Sequence, residues 1–470
     1  MTSIKRKHPL YFPMIVILVV ALAGFISACD GENTEVVEGA LMVPDDFATI
    51  QEAIDAAEDG DEIVVRPGTY NERINFGGKN ITVRSLDPDD SEIVQETIID
   101  AGGVDSVVSF KNGESEAAIL SGFTLTGGSG SMEILEFEIE GEMQEVPSLY
   151  GGGIIILNGS SPTITKNILV DNVAERGGAI LSYNSSPVIE DNRINNNLST
   201  GGGGGVFLAN SAGTVTGNDI VNNSAGRSGG GLAISGQGDG PSVIEGNTIS
   251  DNKAESGGAF SIFESSPVID NNLIINNAAN NAGGGLFLIG ASPVITANDI
   301  SDNRAGPSGG GLAIYLESSP ELRDNLIIGN EADAGGGFAI YMDSSPLIIG
   351  NEISDNSARL GGGFLINECP EVTISGNIIA ENQSERNGAA MFIQESSPTL
   401  EDNTFRNNDA RRHGGAIYAL MDAVVTLINN SFENNRASQG GAAYTSEGAS
   451  LQGADDNTYE ANVPDDIYEE

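Results

Sequence analysis

The chain has 470 residues, of which 67 are acidic and 21 basic, and its formal net charge is −46. This charge argues against nucleic-acid binding, because phosphate backbones are recognised by basic surfaces. It contains two His, two Cys and no Trp. These counts leave little room for catalysis by His clusters, zinc sites or a disulfide scaffold.

The N-terminal 28 residues have the pattern of an export signal. Three basic side chains lie within the first seven positions, and an apolar run follows over residues 10–26. Small residues then precede Cys29, which predicts a cleavable signal peptide over residues 1–28. The Ser27-Ala28-Cys29 stretch resembles the bacterial lipobox. That resemblance implies cleavage before Cys29 and acylation of its thiol; the alternative is an uncleaved membrane anchor.

Lipidation at Cys29 predicts an exported protein whose contact with a bacterial membrane is its N-terminal lipid. The expected location is the outer membrane or the cell surface. Asp30 resembles an inner-membrane retention signal, so the choice of membrane and leaflet stays open. Residues 29–42 are predicted to be a polar tether.

Residues 43–130 are predicted to form a cap and the first coils of a repeat structure. Residues 49–57 have helical spacing, and residues 61–65, 81–83 and 97–100 have the apolar content of short strands. The segment resembles the opening coil of pectinesterase-like and pectate-lyase-like β-helices. The resemblance implies a short amphipathic helix that covers the open end of the core.

Residues 131–148 interrupt this pattern with six glutamates. They predict an acidic insertion, and the sequence leaves open whether it forms a hairpin or a solvated loop.

A period of about 26 residues dominates positions 149–465. Twelve copies carry a Gly pair or its degenerate form, and each has one Asn that is followed five residues later by another. The first Asn of each copy is Asn167, Asn192, Asn218, Asn247, Asn272, Asn298, Asn325, Asn351, Asn377, Asn403, Asn430 and Asn457. Apolar residues stand in register two positions after and three positions before this Asn.

This pattern predicts an all-β fold, a right-handed parallel β-helix of about 12 regular coils plus N-terminal coils and a short capping α-helix. Each unit offers about three short strands and cannot bury its own apolar face, so copies must stack. Asn tolerates left-handed backbone at corners, and its amide can bond to the amide of the next coil. Residues 466–470 are predicted to be a tail.

Individual copies also resemble a known repeat family. Gly177-Gly178-Ala179-Ile180 and Gly414-Gly415-Ala416-Ile417 look like the short motifs of polymorphic outer-membrane protein repeats. This resemblance concerns the fold and says little about activity.

One candidate site is a row of acids that follows the Gly-initiated strands: Glu264, Glu317, Asp343, Glu395 and Glu447. Stacked carboxylates could be bridged by Ca²⁺, which prefers oxygen ligands. Tyr315 and Tyr341 lie two residues before two of the acids and are predicted to face outward, where they could stack on sugar rings. The row is expected to be interrupted at Ala291, Cys369 and Met421.

A second candidate is Arg411-Arg412-His413, the densest basic stretch, which could contact an anionic sugar; the alternative is a solvated corner. Cys369 is predicted to be a buried or corner thiol without a disulfide partner, and not a nucleophile.

The leading functional hypothesis is a non-catalytic, membrane-anchored β-helix lipoprotein outside the cytoplasm, acting in adhesion or glycan binding. One alternative is a polysaccharide lyase or hydrolase that acts on acidic polysaccharide. No motif for the acidic calcium cluster of such lyases or the paired carboxylates of such hydrolases is matched. The other alternative is a structural cell-surface component.

Overall fold

The computed structural model describes residues 39–139 and 142–470. The predicted signal peptide and Cys29 lie outside the described residues. Within this part of the chain, parallel strands stack into four long sheets; nearly every coil contributes a strand to three of them, and ten coils also contribute one to the fourth. The predicted parallel β-helix is therefore confirmed.

Sheet 1 contains the strand that precedes the first Asn of each copy. It has 16 strands in the described residues, four before residue 149 and twelve after, which gives about 16 coils. Its strands are Leu41–Val43, Glu62–Val65, Thr82–Ser85, Ile119–Ser121, Thr163–Thr165, Val188–Glu190, Thr214–Thr216, Val243–Glu245, Val268–Asp270, Val294–Thr296, Glu321–Arg323, Leu347–Ile349, Thr373–Ser375, Thr399–Glu401, Val424–Ile428 and Ser450–Gln452.

Sheet 2 lies between the two Asn columns and has 15 strands in the same ranges. They are Gly68–Tyr70, Thr97–Asp100, Thr124–Thr126, Ile168–Val170, Arg193–Asn195, Asp219–Val221, Thr248–Ser250, Leu273–Ile275, Asp299–Ser301, Leu326–Ile328, Glu352–Ser354, Ile378–Ala380, Thr404–Arg406, Ser431–Glu433 and Thr458–Glu460.

Sheet 3 was not among the three strands predicted for each unit. The small residues after the second Asn form short strands that pair from coil to coil, because Ala and Ser let the chain stay extended without bulky side chains. The strands are Val173–Ala174, Leu198–Ser199, Ser224–Ala225, Lys253–Ser256, Ala278–Ala282, Arg304–Ala305, Glu331–Ala334, Ser357–Leu360, Gln383–Ser384 and Asp409–Ala410.

Sheet 4 follows the Gly pair of each copy. Its strands are Ile74–Asn75, Val108–Phe110, Ile154–Ile156, Ile180–Tyr183, Val206–Ala209, Leu232–Ser235, Phe260–Phe263, Leu286–Ile289, Leu312–Tyr315, Phe338–Tyr341, Phe364–Asn367, Met391–Gln394, Ile417–Leu420, Ala443–Thr445 and Ile467–Glu469. The last strand lies in residues 466–470, so the predicted tail joins this sheet.

Helix Ile50–Ala56 covers the N-terminal end of the core, as predicted. Thr49 caps the helix, because its hydroxyl accepts a hydrogen bond from the Glu52 N–H at 3.2 Å. Ile50, Ala53 and Ile54 are buried and pack into the same core as the strands. A second helix, Ser91–Glu96, precedes a sheet 2 strand, and a 3₁₀ turn spans Ala454–Asp456.

The acidic insertion is a hairpin and not a solvated loop. Strands Ser131–Ile139 and Glu142–Tyr150 pair antiparallel, with Ser131 opposite Tyr150. Leu135 and Phe137 are buried against sheet 4, whereas the glutamates alternate with them. The hairpin therefore buries Leu135 and Phe137 on one face, which a solvated loop would leave exposed, whereas Ile134 on the other face is exposed.

Candidate functional site

The outer face of sheet 4 carries apolar and aromatic side chains. In strand Leu312–Tyr315, Leu312 and Ile314 point into the core, so alternation turns Ala313 and Tyr315 outward. The equivalent outward positions of other coils include Phe207, Phe287, Phe392 and Tyr444. The outward aromatic rings of neighbouring coils lie together on this face, and they mark it as a candidate binding surface.

The hairpin covers the N-terminal part of this face. The Phe137 ring centroid lies 5.5 Å from that of Tyr183 and 6.4 Å from those of Tyr150 and Phe207. The Tyr183 hydroxyl donates to the Glu136 carbonyl at 2.6 Å, and the Tyr150 hydroxyl donates to the Val146 carbonyl at 2.8 Å. Burial raises the pKa of Tyr150 to about 12, so this hydroxyl stays a donor. These contacts hold the hairpin on the sheet.

Beside the hairpin lies a groove of about 1310 Å³ over the next three coils. The hairpin forms one end of the groove, and Phe207, Ala233 and Phe263 lie on its floor. Phe263 is 40% exposed, which leaves its ring open to a ligand. A concave surface with an aromatic floor and a few polar side chains at its edges has the composition of a ligand-binding site.

Charged side chains border the groove on two sides. Arg176 and Arg227 lie at the turns that lead into sheet 4, and Asp239 and Glu264 lie at the corners that leave it. The Arg176 guanidinium carbon is 4.6 Å from the Phe137 ring centroid. Burial, together with the positive charge of Arg227, lowers the pKa of Arg176. Sequence reasoning missed these arginines, because neither forms part of a repeating column.

Further along the same face, outward aromatic rings stack from coil to coil. Tyr315 and Tyr341 face outward as predicted, and their ring centroids are 4.8 Å apart. Both rings are half-buried, and burial raises the pKa of each hydroxyl. The Tyr315 hydroxyl also lies 2.8 Å from the Ser308 Oγ. The stacking fills much of the ring surface that a sugar would need.

The predicted acids Glu264, Glu317, Asp343, Glu395 and Glu447 all lie at the corner after sheet 4, exposed and with positive φ. Two of the predicted interruptions, Ala291 and Cys369, were misplaced by one residue: the left-handed corner residues are Gly290 and Glu368, whereas Cys369 points inward and is buried. Met421 lies at its corner as predicted, and the next residue, Asp422, is left-handed as well. Some corners, like this one, contain two left-handed residues instead of one. The extra residue shifts by one the position at which the sequence spacing places the corner in neighbouring coils.

The acidic row therefore has more members than the sequence pattern indicated. Within residues 39–139 and 142–470, however, no group of three or more His, Cys, Asp or Glu side chains comes together in a way that could hold a metal ion. At this corner each coil therefore offers at most one carboxylate for the predicted bridging by Ca²⁺.

The basic stretch divides between two surfaces. Arg411 borders a smaller groove of about 710 Å³ over sheet 3, and Arg412 is exposed. His413 joins the aromatic stack of sheet 4, with its ring centroid 4.6 Å from that of Tyr444. The three residues therefore do not form one site, because the chain turns between sheets 3 and 4 at this point.

Cys369 is a buried free thiol, as predicted. Burial raises its pKa to about 11, which keeps the thiol protonated and unreactive near neutral pH. In the part of the chain that the structure describes, no helix has the length and apolar content needed to cross a membrane.

Four overlapping matches to the family model of the right-handed β-helix region cover residues 99–244, 201–345, 280–432 and 332–463. They span most of the sequence, and the chain therefore belongs to the right-handed β-helix family. No curated protein sequence matches it.

Two solved structures match this chain at low similarity. One is a mannuronic acid specific polysaccharide family 6 lyase from human gut microbiota, with 11% identity, 89% of each chain covered and a TM-score of 0.28. The other is the tailspike receptor-binding domain of Siphovirus 9NA, with 13% identity, 93% of this chain and 78% of that chain covered, and a TM-score of 0.23. At these values neither structure bears on the activity of this chain.

Proposed function

We propose that this protein is a non-catalytic glycan-binding β-helix lipoprotein, held at a bacterial membrane by acyl chains on Cys29. The groove beside the hairpin carries the proposal. Its open Phe263 ring offers a stacking surface for a sugar, and the polar and charged groups at its edges offer partners for sugar hydroxyls.

Affinity electrophoresis against a panel of soluble polysaccharides, with and without Ca²⁺, tests the binding step. Phe263→Ala should weaken retention of any bound polysaccharide, because it removes the floor of the groove. Leu326→Ala is the matched control, since Leu326 on sheet 2 is 41% exposed and Phe263 is 40% exposed. Equal retention of the two variants would refute the groove as the binding site.

A product assay on each bound polysaccharide separates binding from catalysis. We expect no unsaturated sugars and no new reducing ends after prolonged incubation. Turnover that is lost on replacing a groove carboxylate, such as Glu264→Gln, would instead establish a lyase or hydrolase. Failure of the whole panel to bind would favour a structural role at the cell surface.

The anchoring step has its own test. Mass spectrometry of the mature protein should find an acylated Cys29 at the N-terminus. The Cys29→Ala protein should lose that modification, because it has no thiol to acylate, and after cleavage of the signal peptide it should leave the membrane fraction. An unmodified Cys29 in membrane-bound protein would point to the uncleaved anchor.

A further inference from the structure

Arg176 is held in place by two aromatic rings from different parts of the chain. Its guanidinium carbon lies 4.6 Å from the ring centroid of Phe137 on the hairpin and 5.9 Å from that of Phe207 on sheet 4. Contact with both ring faces fixes the side chain through cation–π attraction. The side chain is half-buried and borders the groove, so its N–H groups are presented in a fixed direction.

Neither groove arginine forms an ion pair among the described residues, although the charge of Glu175 acts on Arg176. Seven ion pairs form there, and they involve other basic side chains: Arg66, Arg84, Lys111, Lys166, Arg304, Arg323 and Arg359. The acid next to Arg176 in the sequence is Glu175, whose carboxylate accepts hydrogen bonds from the Ser148 hydroxyl and, at 3.1 Å, from the Leu149 N–H. The hairpin thus engages the acid and leaves the arginine open.

Other basic side chains of the described residues also form no ion pair, so what sets Arg176 and Arg227 apart is that both border one groove. Burial and the like charge of Arg227 both disfavour the charged form of Arg176, whereas Tyr150 and Glu175 act in the opposite direction. A bound anion would offset the burial and the like charge, because carboxylates and sulfates accept paired hydrogen bonds from a planar guanidinium.

We propose that the Arg176 side of the groove binds the acid groups of an anionic glycan. Arg176 and Arg227 lie two coils apart, or roughly 10 Å along the axis. Two acidic sugars of one chain that runs along the axis would each meet one arginine. Asp239 and Glu264 on the opposite edge would accept hydrogen bonds from sugar hydroxyls. This assignment rests on the proposed function and specifies its ligand class.

Isothermal titration calorimetry with defined hexasaccharides tests it. The acidic probes are oligogalacturonate, oligomannuronate and a heparin-derived hexasaccharide. The neutral probes are the carboxyl-reduced forms of the two uronates, which keep the sugar backbone and lose the charge. We expect at least one acidic probe to bind and its neutral form to bind about tenfold more weakly or worse, since charge-assisted hydrogen bonds are lost.

Two variants test whether the arginines cause the preference for acidic probes. Arg176→Gln and Arg227→Gln should each lower the affinity for the acidic probe about tenfold and leave the affinity for a neutral probe unchanged. Arg227 is exposed and packs against neither ring, so its variant keeps the fold. Arg359→Gln is the control, because Arg359 pairs with Asp333 on the other groove and should not affect binding.

The outcomes separate this inference from the proposed function. If acidic and neutral probes bind equally well and Phe263→Ala weakens both, the inference is overturned but the groove is still a glycan-binding site. Binding of acidic probes that both arginine variants leave intact would also overturn it. If no hexasaccharide binds, both the inference and the proposed glycan binding are overturned. If a hexadeoxynucleotide binds as tightly as the acidic probe, the groove is a general polyanion site and the inference is overturned.

Discussion

The asparagine columns are the main polar stabilisation of the buried corners. The buried Asn277 side chain shows the pattern: its Nδ2 donates to the Ile249 carbonyl at 2.9 Å and to the Asn303 Oδ1 at 3.0 Å. Its Oδ1 accepts from the Asn252 backbone N–H at 3.0 Å. Every polar atom of the amide is therefore used, and each Asn also satisfies backbone groups of the coils beside it.

Replacing Asn277 with Ala should lower the free energy of unfolding by about 2–5 kcal/mol, because it leaves buried N–H and C=O groups without partners. Asn280→Ala is the control, since Asn280 is exposed in the same coil, and it should change the value by less than about 0.5 kcal/mol. Urea unfolding followed by circular dichroism measures both. Similar values for the two variants would contradict the structural role of the column.

His413 should make stability depend on pH. Its Nδ1 is buried and has no hydrogen-bond partner among the described residues. Burial lowers the pKa of His413 in the folded state, with Arg412 acting in the same direction and Glu470 against it. As pH falls below the ordinary value near 6.5, the unfolded chain takes up the proton first, so stability from this group is lost.

The measurement is the change in melting temperature between pH 7.5 and pH 5.5. His413→Phe keeps a ring beside Tyr444 and cannot titrate, so its melting temperature should fall less than that of the unaltered protein. The comparison removes the common effect of the carboxylates. An equal fall in both proteins would show that His413 is protonated freely in the folded state.

The glycine pair is required at the turn between sheets 3 and 4 for two different reasons. In the copy at Gly283-Gly284, Gly283 has a φ of +66°, which glycine adopts without strain. A Cβ on Gly284 would lie 2.4 Å from the Gly310 carbonyl oxygen of the next coil. The second glycine therefore allows close approach of two backbones, and this repeats at nearly every coil.

Gly284→Ala should destabilise the protein by about 3 kcal/mol, because backbone atoms of the adjacent coil must move. Gly246→Ala is the control: that residue has a φ of +64° but nothing within 4 Å of its would-be Cβ. Its cost should be the left-handed penalty alone, about 1 kcal/mol. Chemical denaturation compares the two, and an equal loss would mean that the coils can separate at little cost.

The structure of residues 131–150 could be predicted only in part from the sequence. Their acidic composition suggested solvation, but Leu135 and Phe137 alternate with the glutamates and lie on one face. That alternation is visible in the sequence and favours a hairpin over a solvated loop. Which surface the hairpin covers depends on the apolar side chains of sheet 4, and these follow it in the chain.

Across the whole molecule, the parallel stack of coils was predictable because a regular period brings each residue against its own copy. The Asn and Gly columns, the buried Ile and Leu positions and the capping helix all follow from that rule. The short strands of sheet 3 were missed, since their Ala and Ser residues carry little apolar signal.

The candidate site could not be derived in this way. Phe137, Arg176 and Phe207 meet because a non-repeating insertion folds back over coils that come after it, and no period relates these three positions. The repeat in the sequence specifies contacts between equivalent residues on neighbouring coils. Contacts between unlike residues, which give the groove its charge and its aromatic floor, arise from the path of the folded chain in space.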